Sequence, residues 1–100
     1  HIREMAAEVI RMVTESVDSY VQKDTVRARL VIAHDDIVDQ CFDRVKQVLI
    51  GNIAANPACG GHALDLLMID KYLERIGDHA VNIAEWVIFA VTGEHKGEAL

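Results

Sequence analysis

Apolar residues recur at threes and fours from the start of the chain. Ile2, Met5, Val9, Met12 or Val13, Val17 and Tyr20 share one face, which predicts a helix over residues 2 to 21. Asp24 then stands where an N-cap belongs, and Val26, Leu30, Ala33, Ile37, Cys41, Val45 and Val48 follow on one face of a second helix. Gly51 offers one stop for that helix and Asn56-Pro57 a firmer one, because the residue before a proline is turned sterically away from the α conformation. Residues Pro57 to Gly61 read as the one real loop. A third helix runs from about His62 to Thr92, roughly 46 Å at 1.5 Å per residue, with Gly93 at the C′ position. With no strand-like alternation, internal repeat or low-complexity tract, the expected fold is all-α: an antiparallel up-down-up three-helix bundle. The domain is expected to cover residues 1–94, with residues 95–100 as a flexible C-terminal tail.

The polar positions are as ordered as the apolar ones. On the third helix, with Glu74 at zero on a wheel of about 100° per residue, Asp78 falls near ~40°, Asn82 near ~80° and Glu85 near ~20°. Ile69, Ile76, Ala80, Ile83, Val87 and Ala90 fall between about 160° and 240°, which places the core on the far side and the carboxylates outside it. The second helix repeats the arrangement with Asp35, Asp39 and Asp43 at i, i+4 steps and Asp36 beside them. Like charges one turn apart repel by a few tenths of a kcal/mol, so helix stability does not account for either row. Where two antiparallel helices lie about 8–10 Å apart, such rows can lean into a shared groove and converge on a cation.

Composition narrows the class. A 100-residue chain that is 51% hydrophobic with 5% aromatics suits Ala, Val, Leu and Ile packing between helices in a single domain. The formal charge of −6 argues against sequence-independent nucleic-acid binding, since no Lys/Arg cluster is present to displace counterions from phosphates. Charges interrupt every apolar run short of a membrane span, and no signal-peptide pattern opens the chain. Cys41 and Cys59 show neither Cys-x-x-Cys pairing nor zinc-finger spacing and are read as reduced thiols of a cytoplasmic protein. Because the sequence opens at His1, it reads either as a piece of a longer protein or as carrying a tag remnant.

Two readings of the acidic rows stay open on spacing alone. One is a hard-cation site, since carboxylate and amide oxygens suit Mg²⁺, Mn²⁺, Ca²⁺ or iron while zinc usually recruits His or Cys as well. The other is a solvated acidic face. Gly77, between Glu74 and Asp78, costs about 1 kcal/mol relative to Ala in a helix and reads either as the close approach of a neighbouring helix or an ion or as a residue simply tolerated there. Trp86 and Phe89 read as edge packing or a partner-facing patch, Arg75 as a solvated charge, and Cys41 as a small core residue. His34-Asp35 also matches the phosphoacceptor pair of a histidine-kinase dimerisation helix, but His34 falls near ~260°, beside the apolar cluster. A ferritin-like di-iron site needs inward Glu-x-x-His pairs that the chain lacks, and nucleophile, Walker and Rossmann motifs are absent, so no enzyme is expected.

The segment Leu73-Glu-Arg-Ile-Gly-Asp-His-Ala-Val-Asn-Ile-Ala-Glu85, followed by Val91-Thr-Gly-Glu94, resembles the last helix and exit of the PhoU family of phosphate-uptake regulators. Asp35-Asp-Ile-Val-Asp39 resembles the acidic motif on that family's second helix, and the Asn56-Pro57 break and the run Ala63 to Ile69 sit where the family has them. The resemblance covers about residues 1 to 94, in the manner of the C-terminal half of a protein built from two such repeats. It implies acid-x-x-x-acid motifs that hold a divalent or ferric ion cluster of iron, zinc, manganese or magnesium. By motif position the metal ligands are Asp35, Asp39, Glu74 and Asp78, with Asn82 beyond them. It further implies negative control of phosphate uptake and of phosphate-starvation signalling, through the phosphate ABC-transporter ATPase subunit and a phosphate-sensing histidine kinase. A lone repeat is expected to form a homodimer. The alternative is a metal-free helical dimerisation or signalling bundle of the histidine-kinase dimerisation type.

Overall fold

A computed structural model describes residues 1–93. The helices are α1 (Ile2–Gln22), α2 (Thr25–Ala55) and α3 (Gly60–Thr92), with a single 3₁₀ turn at Pro57–Cys59. Each helix packs against the other two. The predicted tail, residues 95–100, lies outside the described residues.

Local chemistry sets the boundaries. The Asp24 carboxylate accepts the Arg27 N–H at 3.0 Å and caps α2. α1 ends in a left-handed residue, Lys23 at φ 53°, and the Asp24 N–H reaches back to the Ser19 carbonyl at 2.9 Å in a Schellman-type closure. A Cβ makes that conformation costly, so Lys23→Gly is expected to stabilise the domain by about 0.5–1 kcal/mol in urea unfolding. α2 runs straight through Gly51 to Ala55 and stops at Asn56. The connection is shorter than the expected five-residue loop. Asn56 accepts the Ala58 N–H on its side chain and the Cys59 N–H on its carbonyl, which winds Pro57–Cys59 into one turn before α3 begins at Gly60. Gly93 closes α3 at φ 78°, donating its N–H to the Phe89 carbonyl at 2.7 Å.

The faces of the helices differ from the expectation. Buried residues on α3 are Ala63, Asp70, Gly77, Ala80, Ala84 and Val87, whereas Ile69, Ile76 and Ile83 are exposed. On α2 the buried residues are Ala28, Val31, Val38, Cys41, Val45 and Leu49, while Leu30, Ile37 and Val48 are exposed. Each core stripe is therefore turned by roughly 80° on the wheel, towards the carboxylate row. The physical reason is size. α3 is packed on two sides, and small residues at its centre let α1 and α2 come close while the branched isoleucines flank the contact. On α1 the same preference buries Ser16 and Ser19 in place of Val17 and Tyr20, and their hydroxyls donate to the carbonyls of Val13 and Ser16.

Gly77 sits where α3 meets both α1 and α2. A Cβ built there lies 3.5 Å from Val38 Cγ1, 3.8 Å from Met12 Sδ and 3.8 Å from Val9 Cγ2, which is ordinary contact. A methyl group fits and nothing larger does. Gly77→Ala is expected to raise stability by about 0.5–1 kcal/mol through helix propensity, and Gly77→Leu to lower it by about 1–3 kcal/mol through overpacking. Urea unfolding of both variants checks this.

The core is split in two. One cluster joins Met5, Val9, Met12, Ala28, Val31, Val38, Cys41, Ala80, Ala84 and Val87; the other joins Val45, Leu49 and Ala63. Asp70, fully buried on α3, falls between them. The radius of gyration, 16.3 Å, exceeds the ~13 Å of a compact chain of this length, so the bundle is elongated and leaves apolar rows uncovered.

Candidate metal centre

The rotation of both stripes brings the acidic rows to the seam between α2 and α3. They line the rim of that seam: Asp36, Asp39, Asp43 and Asp78 are exposed, while Asp35 and Glu74 are half-buried. The helices run antiparallel, and the electrostatics show how the rows face each other. Asp35 is repelled by Asp39, Asp78, Asp36 and Glu74; Asp39 by Glu74, Asp78, Asp36 and Asp43; Asp70 by Glu74 and Asp43. The carboxylates of α2 and α3 therefore act on one another across the seam.

Burial makes the repulsion consequential. The Oδ1 atom of Asp35 and both carboxylate oxygens of Asp70 are shielded from solvent and have no hydrogen-bond partner. Burial, followed by the neighbouring carboxylates, pushes Asp35 up to about 6. The same causes push Asp70 to about 6, with burial again the larger. Asp39 is raised as well, by desolvation first and then by Glu74 and Asp78. The carboxylates of the seam repel one another, and protonation relieves that repulsion.

Lys71 supplies partial relief. Its Nζ donates to Glu74 Oε1 at 2.8 Å and lies 5.4 Å from the centre of the Phe42 ring, so it crosses from α3 to α2 at the level of Asp43 and Asp70. Asp35, Asp39, Glu74 and Asp78 are thus brought together. Asn82, one turn further on, is exposed, as is His79. The Arg75 guanidinium lies over the Tyr72 ring at 5.5 Å.

The donors are oxygens on two rigid walls, which suits hard ions that retain water ligands, such as Mg²⁺, Mn²⁺ or iron. Among the described residues no three His, Cys, Asp or Glu side chains are arranged, as they stand, to hold one ion. Ligation therefore requires the carboxylates to turn inward from both helices.

Asp70 is a buried member of the same row that the sequence reading does not single out. It sits one turn before Glu74 and continues the 74/78 row, so the i, i+4 spacing is present in the sequence; placing the core on the isoleucines hides it.

His34 is held elsewhere. Its Nε2 engages Glu8 Oε2 from α1, with the imidazole side chain only 21% exposed, so it is not presented as a phosphoacceptor. Trp86 packs edge to face on Phe89 at 5.3 Å between ring centres.

The fold and seam define a class: a three-helix domain with facing carboxylate rows and buried oxygens that lack partners. A family profile described as the PhoU domain matches residues 2–87, and the chain belongs to that family. Among curated relatives, each named a phosphate-specific transport system accessory protein PhoU homolog, the chain is 31% identical over 93 residues to that of Borreliella burgdorferi. It is 37% identical over 95 residues to that of Zymomonas mobilis and 34% over 92 residues to that of Pseudomonas aeruginosa. These matches cover 93%, 95% and 92% of this chain but 42%, 39% and 38% of the relatives. The chain therefore spans about two fifths of the length of the curated relatives it matches. No helix among the described residues is long and apolar enough to cross a membrane.

Proposed function

We propose that this domain is a cation-binding, non-enzymatic regulator of phosphate transport, and that Asp35, Asp39, Glu74 and Asp78 hold a divalent or ferric ion across the α2/α3 seam. The observation that supports this reading best is the buried, unpartnered Asp35 oxygen in the midst of facing carboxylates. A bound cation supplies positive charge that cancels the repulsion between the rows. The carboxylates of α2 and α3 then fix the two helices in register, and the acidity of the exposed rim, where Asp36, Asp39 and Asp78 lie, changes with occupancy.

In the whole protein that rim meets the phosphate ABC-transporter ATPase subunit and a phosphate-sensing histidine kinase, restraining uptake. The test is uptake of radiolabelled phosphate in a bacterium deprived of its own PhoU protein and given the full-length protein that contains this domain. Restraint of uptake by the native protein and its loss with Asp39→Asn/Asp78→Asn supports the reading. Restraint that survives both substitutions leaves a metal-free signalling bundle.

The uncovered apolar rows are read as an interface. Ile10 and Val17 on α1, and Ile69, Ile76 and Ile83 on α3, recur every seven residues and are 37–66% exposed. Ile10 and Ile76 line the same apolar groove between the parallel helices α1 and α3. For the isolated domain the occupant is a second copy, forming a two-fold dimer. Analytical ultracentrifugation is expected to show a dimer for the native chain and a monomer for Ile76→Glu; a native monomer of 11.1 kDa contradicts this.

A further inference from the structure

α1 and α2 leave a cleft between them on the flank of α2 turned away from the carboxylate seam, since Leu30 and Asp39 fall on opposite sides of that helix. Its volume is about 480 Å³, and Arg11, Met12, Glu15, Leu30, Val31 and His34 line it. Small-molecule sites usually measure roughly 300–1,000 Å³ and combine an apolar lining with a few polar groups that fix orientation. Here the floor is apolar, with Met12 and Val31 buried, while Leu30 forms a wall that is left 65% exposed. The charged groups of the lining differ in what they already hold. His34 is engaged by Glu8, and Glu15 by Arg27, whose Nε lies 3.5 Å from its Oε2. Arg27 reaches Asp18 and Asp24 as well, at 3.5 Å and 3.8 Å. Arg11 is exposed, and its guanidinium forms no ion pair or hydrogen bond with any described residue. Among the described residues it is the lining charge left to meet a ligand, and a guanidinium matches a carboxylate through two parallel N–H donors.

We propose that this cleft binds a small amphipathic carboxylate, with its charged end on the Arg11 guanidinium and its apolar body laid over Met12 and Val31 against Leu30. Covering Leu30 takes apolar surface of both ligand and protein out of water, which supplies the favourable term, and the Arg11 pair sets the orientation. Inorganic phosphate carries the charge without the apolar body and makes only the second of these contacts. None of the six lining residues is a carboxylate of the α2/α3 seam, so the cleft stands independently of the metal reading.

Octanoate is the probe, titrated into the isotopically labelled 100-residue chain in chelator while the backbone amide resonances are followed. Saturable shifts are expected on residues 8–15 of α1 and 27–34 of α2. Octylammonium, with the same body and the opposite charge, and inorganic phosphate are expected to leave those amides in place at the same concentrations. Arg11→Gln is expected to weaken octanoate by about tenfold, as loss of a charge-assisted pair does, and Leu30→Gln to weaken it as well. Both side chains are exposed, so neither substitution opens the core. Octylammonium binding as tightly as octanoate would give the cleft to Glu15 rather than Arg11 and overturn the assignment. Phosphate shifting the same amides as strongly would reduce it to a simple anion contact, which overturns it too. So would octanoate that binds Arg11→Gln and the native chain equally, or whose shifts fall on α3 around Ile76.

Discussion

Adding Mn²⁺ or ferrous iron to the chelator-treated domain is expected to raise its melting temperature by roughly 10–20 °C. A ligand that binds only the folded state stabilises by about 2.7 kcal/mol at a hundred times its dissociation constant. Each kcal/mol moves the midpoint of a domain this size by about 4–8 °C. The gain is large because the seam begins from an unfavourable state. Asp35 and Asp39 repel Glu74 and Asp78 across it, and the Asp35 oxygen is buried with nothing to accept from. The rise is expected to shrink to a few degrees when Asp35, Asp39, Glu74 and Asp78 are all replaced by their amides, since the ligands and the repulsion vanish together. Differential scanning calorimetry with and without metal checks this. An equal midpoint in chelator and in metal would remove the structural role of the ion.

The second large effect is a pH dependence confined to the metal-free protein. Asp70 titrates at about 6 in the fold against about 3.8 when unfolded, because burial and then Glu74 and Asp43 disfavour its charge. With the folded value raised, the stability tied to its proton is fully present below about pH 4 and is lost as the pH climbs through 6. For a fully buried carboxyl, a rise of this size is worth up to about 3 kcal/mol. Asp35 moves in the same direction. Other groups titrate over this range, so the informative quantity is the stability of the native chain minus that of Asp70→Asn, taken from urea unfolding in chelator. That difference is expected to shift against the native chain by up to about 3 kcal/mol between about pH 4 and pH 7.5, and saturating metal is expected to flatten it. A difference that stays constant across this range would show Asp70 to be solvated or otherwise paired.

The elements of the fold are legible in the sequence because their signals are local. Asp24 caps α2 through its own side chain, Asn56-Pro57 stops it, and Gly93 supplies the left-handed residue that closes α3. Which way each helix faces is not legible, because it is decided by packing rather than by hydrophobicity. Ile69, Ile76 and Ile83 form the most apolar row on α3, yet Gly77, Ala80 and Ala84 take the centre, where three helices meet and only small side chains fit. Two serines displace Val17 and Tyr20 on α1 for the same reason, with hydroxyls satisfied by their own helix.

The turn of the stripes matters most at the site. Spacing and motif single out Asp35, Asp39, Glu74 and Asp78 and the groove between the helices, but a wheel centred on the isoleucines does not show that an Asp35 oxygen is shielded from solvent there. Asp70 shares their spacing and still escapes notice, because a wheel does not anticipate a carboxylate in the core.

The most direct test is metal content, measured by elemental mass spectrometry on tag-free protein reconstituted in turn with iron, manganese, zinc and magnesium, beside Asp39→Asn/Asp78→Asn. The carboxylate seam predicts at least one equivalent of a divalent or ferric ion in the native chain that the variant lacks. A native chain that retains no metal from any of the four would contradict the central claim and leave a helical bundle recognised by its partners through its surface alone.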